Sequence, residues 1–195
     1  MASKAGLDIP QTLITNSPDE LKEFYKSNLK LVAKLLTPLT TSMEGSSNFV
    51  FTSLVTEEHI KNADMLQYSP MAFQELIEKQ YELRVIYIDG NFFTGKIDAS
   101  KSSQGSVDWR LSKPNEIKWE IYELPKMIKS KLTHFMKSVY LTFGAIDLIK
   151  DKNDRYVFLE VNPTGEWGML EKDLGLPISE AIAKSLVKKL NKFLL

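Results

Sequence analysis

The chain contains no cysteine and only two histidines, with nine glycines and eight prolines among 195 residues. Without cysteine it has neither a disulfide framework nor a thiolate metal centre. The histidines, His59 and His134, have no partner at metal-ligand spacing, which argues against zinc, and His134 falls on the polar side of its helix. Net charge is absent as well: lysine plus arginine and aspartate plus glutamate balance at 25 each, so no global field draws nucleic acid or anionic lipid. No apolar run approaches the roughly 20 residues that span a bilayer. Met1 to Leu13 lacks the apolar core of a secretory signal. The expectation is a cytoplasmic protein with neither a membrane nor a nucleic-acid partner.

What is present is ordinary globular composition, 43% apolar and 26% charged, long enough for one large domain or two subdomains. Lys4-Ala5-Gly6-Leu7 reads as a helix C-terminus with Gly6 as left-handed cap. Residues 1–8 are therefore expected to be the remnant of a preceding helix. Ile9 to Thr15 reads as a strand. Ser17-Pro18-Asp19-Glu20 is a helix start with Ser17 as cap and Glu20 closing a capping box. Leu29–Leu36, Phe49–Val55, Met71–Ile77 and Ile117–Glu123 read as strands, and Thr56 caps a short helix. Glu82–Ile88 and Asn91–Ile97 flank Asp89-Gly90, a two-residue hairpin signal. Thr37–Asn48 and Lys101–Pro114 are polar and loop-like. Ile128, Leu132, Phe135 and Val139 recur at helical spacing after Pro125. A last helix, Ile178 to Leu194, is expected to bury Ile182, Leu186 and Leu190. Mixed helices and antiparallel hairpins give an α+β class.

The second hairpin, Phe143–Ile149 with Arg155–Val161 around Asp151 to Asp154, carries acids inside apolar strands. Burying an unpaired carboxylate is costly, so these residues need a reason. If Asp151 pairs with Asp154, Asp147 lies opposite Phe158 and diagonal to Glu160. Alternation then places Asp147, Glu160 and Asn162 on one face, and Ile146, Leu148, Val157, Leu159 and Val161 on the other. Two carboxylates and an amide oxygen form the hard, oxygen-rich set that magnesium prefers. The same pattern also fits two edge-strand acids facing solvent.

The run from Phe143 to Asn162 resembles the metal-binding hairpin of ATP-grasp enzymes, in which an acid on one strand meets Glu-x-Asn on the next. Further segments resemble the same superfamily in the same order. Val32-Ala33-Lys34-Leu35-Leu36 is similar to the strand whose lysine contacts nucleotide phosphates. Phe73-Gln74-Glu75-Leu76-Ile77 is similar to the adenine hinge, and Glu82-Leu83-Arg84 to the segment after it, whose acid holds the ribose. Asp108-Trp109-Arg110 sits where the family places a phosphate-facing arginine. The loop Leu36-Thr37-Pro38-Leu39, the stretch from Ile97-Asp98 to Arg110 and the ending Glu160 to Gly168 resemble the microviridin-type peptide maturases.

The resemblance implies an ATP-grasp fold, with a small subdomain at 9–77 facing a larger one at 78–195 and nucleotide between them. It implies ATP and Mg2+ as cofactors: Lys34 and Arg110 on phosphates, Gln74, Glu75, Leu76 and Ile77 at adenine, Glu82 and Arg84 in the nucleotide site, and Asp147, Glu160 and Asn162 on the metal. It implies a ribosomal precursor peptide, leader and core, as partner and an ester or amide bond as product, with a homodimer as a further expectation. The family's N-terminal domain, and a lysine that precedes the Gly6-Leu7 equivalent, are expected to be missing. Two other functions stay open: an amino-acid ligase of the ribosomal-protein glutamate ligase type, and a catalytically incomplete module that binds nucleotide or leader peptide. Each residue also has a plainer role. Lys34 fits an exposed strand lysine, Glu82 and Arg84 fit cross-strand ion pairs, and Arg110 fits a surface pair with Asp108 or Asp98. Trp109 and Trp167 fit packing positions.

Overall fold

The computed structural model describes residues 1–28, 30–36, 52–98 and 118–193, which divide into two compact units. Residues 10–77 form one unit. Its sheet runs β1 (Thr12–Thr15), β4 (Met71–Glu75), β2 (Leu31–Leu35), β3 (Ser53–Leu54), with every pairing antiparallel. The strand expected from Ile9 starts later, at Thr12, because Pro10 has no N–H to give a ladder. Helices α1 (Pro18–Ser27) and α2 (Glu57–Lys61) and a 3-10 segment at Ala63–Tyr68 accompany the sheet. Leu21, Leu31, Phe73, Val55 and Leu66 form the buried core, with Leu13 and Ala33 packed against it. Thr56 caps α2 with a capping box closed by His59, so this histidine has a local structural partner. At α1, Ser17 accepts from Glu20 N as expected, but the box does not close. The Glu20 carboxylate instead accepts from the Thr15 hydroxyl.

Residues 1–9, 78–98 and 118–193 form the other unit. Its five strands run β7 (Trp119–Ile121), β6 (Asn91–Ile97), β5 (Lys79–Ile88), β8 (Phe143–Asp151), β9 (Tyr156–Asn162), again all antiparallel. Positive φ at Asp89 (47°) and Gly90 (96°) makes the tight β5–β6 turn that the Asp-Gly pair announces. Helix α3 (Lys126–Ser138) buries Ile128, Leu132, Phe135 and Met136 with Leu83, Val85, Ile146, Leu148 and Phe158 of the sheet. Leu7 joins that core, and Asp8 forms a parallel bridge to Val157. The first residues therefore pack with this unit, through a 3-10 turn at Ser3–Ala5 closed by Gly6 at φ 76°.

Helices α4 (Gly168–Leu174) and α5 (Ile178–Phe193) join a separate apolar cluster with Ile86, Ile88 and Ala145, which point the other way from Val85 and Ile146. Trp167 packs into this cluster. The expected burial along α5 fails in part. Ile182 is half-buried, but Leu186 and Leu190 are 63% and 57% exposed. The helix rests on the sheet through Ile178, Ala181 and Ile182. At about 100° per residue, Leu186 and Leu190 lie roughly 140–180° round from Ala181. Among the described residues, no helix is long and apolar enough to cross a membrane.

Candidate functional site

The polar side chains of the larger sheet gather on the face that α4 and α5 cover only in part. Four strands contribute one cross-strand row: Gly95 opposite Arg84, Arg84 opposite Asp147, Asp147 opposite Glu160. Neighbouring rows on the same face hold Ile97, Glu82, Ile149 and Val157 on one side, and Phe93, Ile86, Ala145 and Asn162 on the other. Asp147, Glu160 and Asn162 thus share a face, by a route that the sequence did not predict. The β8–β9 turn is one residue longer than expected, with Asp151 N donating to Arg155 O at 3.0 Å. That shift alone would set Glu160 on the opposite face. A β-bulge undoes it: Leu148 pairs with Phe158 but Asp147 pairs with Glu160, leaving Leu159 as the extra residue. Three assignments change as a result, the first being that Val157, expected on the face away from Asp147, lies opposite Ile149 on the Asp147 side. Phe158, expected opposite Asp147, enters the core against Phe135 with ring centroids 5.0 Å apart, and Leu159 is only half-buried.

Arg84 Nη1 lies 3.0 Å from Asp147 Oδ1 and 3.1 Å from Oδ2, a cross-strand ion pair with side chains 18% and 29% exposed. Arg84 Nε is buried, and among the described residues no acceptor reaches it. A buried donor without a partner carries a desolvation penalty, so the geometry keeps a guanidinium edge ready for an oxygen acceptor. Glu82 lies on the same face, with Lys79 Nζ 2.7 Å from its Oε1. Lys79 was not anticipated from the sequence. Its signal, a lysine three residues before Glu82, becomes legible only once the strand geometry is known.

Glu160 is exposed. Asn162 Oδ1 accepts from Thr164 N at 2.9 Å and Thr164 Oγ1 at 3.1 Å, which fixes the amide over the end of β9. Gly165 then passes so close to the sheet that an added Cβ would meet Ala145 Cβ at 2.5 Å. Among the described residues, no group of three or more His, Cys, Asp or Glu side chains gathers at metal-binding distance. The hairpin offers two carboxylates and an amide, with Asp147 already engaged by Arg84. This donor set suits a hard cation that keeps other oxygen ligands of its own.

In the smaller unit, Leu13, Phe73 and Ala33 face the core, so alternation places Lys34, Gln74, Val32 and Ile14 on the opposite face of that sheet. Lys34 is half-buried there. Gln74 Nε2 donates to Thr12 Oγ1 at 3.1 Å, Glu75 N to Gln11 O at 3.0 Å and Leu76 N to Lys30 O at 2.9 Å. Ile77 is the last described residue of this unit, so Gln74 to Ile77 is the stretch by which the chain passes from it into the larger unit. Asp108, Trp109 and Arg110 lie outside the described residues, as do the polar loops. His134 is exposed.

No protein-family model and no curated protein sequence matches the chain. Solved structures do. A Chryseobacterium gregarium RiPP-associated ATP-grasp ligase, in complex with ADP and a leader and core peptide, shares 35% identity at a TM-score of 0.89; the match covers 96% of this chain and 57% of that one. The macrocyclase MdnC of Microcystis aeruginosa MRC, bound with precursor peptide MdnA, shares 38% identity at a TM-score of 0.83, over 96% and 58% of the two chains. MdnB from the same organism shares 45% identity at 0.72, over 95% and 56%. The chain therefore spans somewhat over half the length of the structures it matches. Two antiparallel sheets with their helices, one of them bearing an acid-bearing hairpin, together with this likeness across nearly all its length, place the chain in the family of RiPP-associated ATP-grasp ligases.

Proposed function

We propose that the chain is the nucleotide-binding part of an ATP- and magnesium-dependent ligase that joins side chains within a ribosomal precursor peptide. The observation that carries this reading is the polar row Arg84–Asp147–Glu160 across three strands, in a chain 35% identical to a RiPP-associated ATP-grasp ligase seen in complex with ADP and a leader and core peptide. In such a ligation a side-chain carboxylate takes the γ-phosphoryl group of ATP and ADP leaves. A hydroxyl or amine of the same peptide then displaces phosphate from the acyl carbon, giving an ester or amide with loss of one water overall. Phosphoryl transfer needs positioned charge more than covalent chemistry from the protein. Lys34 and Arg110 offset phosphate charge, and the orphaned Nε of Arg84 takes an anionic oxygen. Gln74, Glu75, Leu76 and Ile77 border adenine, and Glu82 accepts from the ribose hydroxyls. Asp147, Glu160 and Asn162 would hold magnesium, which would supply positive charge against the charge developing on the transferred phosphoryl group.

Calorimetric titration of the chain with ATP, with and without magnesium, tests the site. Magnesium-dependent binding supports the reading, and its absence overturns it. Mass spectrometry of a precursor peptide incubated with the chain and ATP then tests ligation, each new bond removing one water. Leader-peptide binding without ligation would favour the incomplete module. A homodimer belongs to the same proposal: Leu186, Val187 and Leu190 form an exposed apolar stripe along α5. Sedimentation showing only monomer would remove that part. A reaction drawing on ATP also fits the cytoplasm.

A further inference from the structure

Lys79 and Glu82 stand three positions apart on β5. On an undistorted strand residues three apart point to opposite faces. Here Lys79 pairs with Asp151 and Tyr81 with Lys150, so Gln80 is an extra residue on β5. The bulge reverses the alternation once. Lys79 consequently shares the Arg84–Asp147 face with Glu82, and its Nζ comes to 2.7 Å from Glu82 Oε1. Their side chains are 9% and 16% exposed.

A solvated pair at this spacing would hold nothing in place, because two long side chains lose entropy for little Coulomb gain. This pair is largely withdrawn from water, so loss of either partner would leave the other's buried charge less well compensated. Lys79 is also too deeply set to grip a ligand by itself. Its consequence is the orientation of Glu82, whose Oε1 it holds at 2.7 Å on the face shared with Arg84. Bulges recur beside active sites, where they re-aim side chains.

We propose that Lys79 is a positioning residue: through the bulge at Gln80 it fixes the Glu82 carboxylate to receive the hydroxyls of a nucleotide ribose. This deepens the reading of Glu82 given above and rests on it. The ligand class follows from the chemistry, since a carboxylate held in one orientation suits a vicinal diol.

The test is calorimetry of the full chain with magnesium and three probes: ATP, 2′-deoxy-ATP and 3′-deoxy-ATP. The wild-type chain should prefer ATP by roughly tenfold, the size of one charge-assisted hydrogen bond. Lys79→Met should bring ATP down to the level of the deoxy analogues while changing those analogues little. Lys79→Arg should keep most of the preference. If Lys79→Met does not fold by circular dichroism, Lys79→Leu, which also lacks a donor, takes its place with the same expectation. A folded variant lacking the lysine that still prefers ATP tenfold, or that weakens all three nucleotides equally, overturns the inference while leaving nucleotide binding standing. A wild-type chain that binds ATP without preferring it removes the ribose role of Glu82 and this inference together. One that binds none of the three removes the proposed function as well.

Discussion

Asp147 and Glu160 face each other directly across β8 and β9 because Leu159 is looped out of the ladder between them. One residue of turn and one residue of bulge cancel, and the acids meet on the face that also carries Arg84. If that meeting holds magnesium, removing one carboxylate should be felt in the metal and hardly in the fold. Glu160→Gln is expected to weaken magnesium-dependent ATP binding by about tenfold or more, on the scale of disturbed metal shells. Because Glu160 is exposed, thermal stability should move by less than about 0.5 kcal/mol. Unchanged calorimetric affinity would refute the ligand role.

Lys34 offers a sharper contrast between ligands. A lysine that meets phosphate should matter for ATP and not for adenosine. Lys34→Ala is expected to weaken ATP by roughly tenfold, about one charge-assisted contact, with adenosine affinity unaltered. Equal loss for both would assign Lys34 to the sheet rather than to the ligand.

Gly165 tests how tightly the end of β9 is packed. An alanine Cβ there would lie 2.5 Å from Ala145 Cβ, 3.1 Å from Asn162 Cβ and 3.2 Å from Asn162 O. The backbone and the Ala145 methyl have no rotamer with which to yield. Gly165→Ala should therefore destabilise the chain by about 1–3 kcal/mol, the usual range for overpacking, read from denaturant melts. A neutral result would mean that the loop after Asn162 is free to move.

Asp151 carries a pH signature. Burial pushes its carboxyl up, but hydrogen bonds from Arg155 N and side chain and from Asn153 N outweigh that and hold it below the ordinary 3.8. A depressed folded-state value contributes stability that is present above pH 3.8 and is lost as pH falls through the lower folded value. Asp151→Asn should thus be less stable than wild type at neutral pH, by roughly 1–3 kcal/mol for charge-assisted bonds. The two should converge in melts below about pH 4. A gap that stays constant down to pH 2 would place the effect elsewhere.

Much of this protein is written locally. Ser17-Pro18 starts a helix and Asp89-Gly90 makes a hairpin, because one or two residues set the backbone there. The spacing of Ile128, Leu132 and Phe135 marks the buried side of α3, and the acids inside two apolar strands mark the hairpin that matters. The motif order from Lys34 to Asn162 was enough to point to the ATP-grasp family. What the sequence could not settle is which way side chains face after an inserted residue. In a strand every residue reverses direction, so one unpaired residue inverts all that follow. Whether Gln80 and Leu159 leave the ladder depends on how β8 pairs with β5 and with β9, not on the residues beside them in the sequence. Tertiary structure therefore decided that Phe158 belongs to the core, that Glu160 joins Asp147, and that Lys79 reaches Glu82. It also decided that Leu186 and Leu190 stay off the sheet, since helical periodicity alone does not say which flank of an apolar stripe meets it.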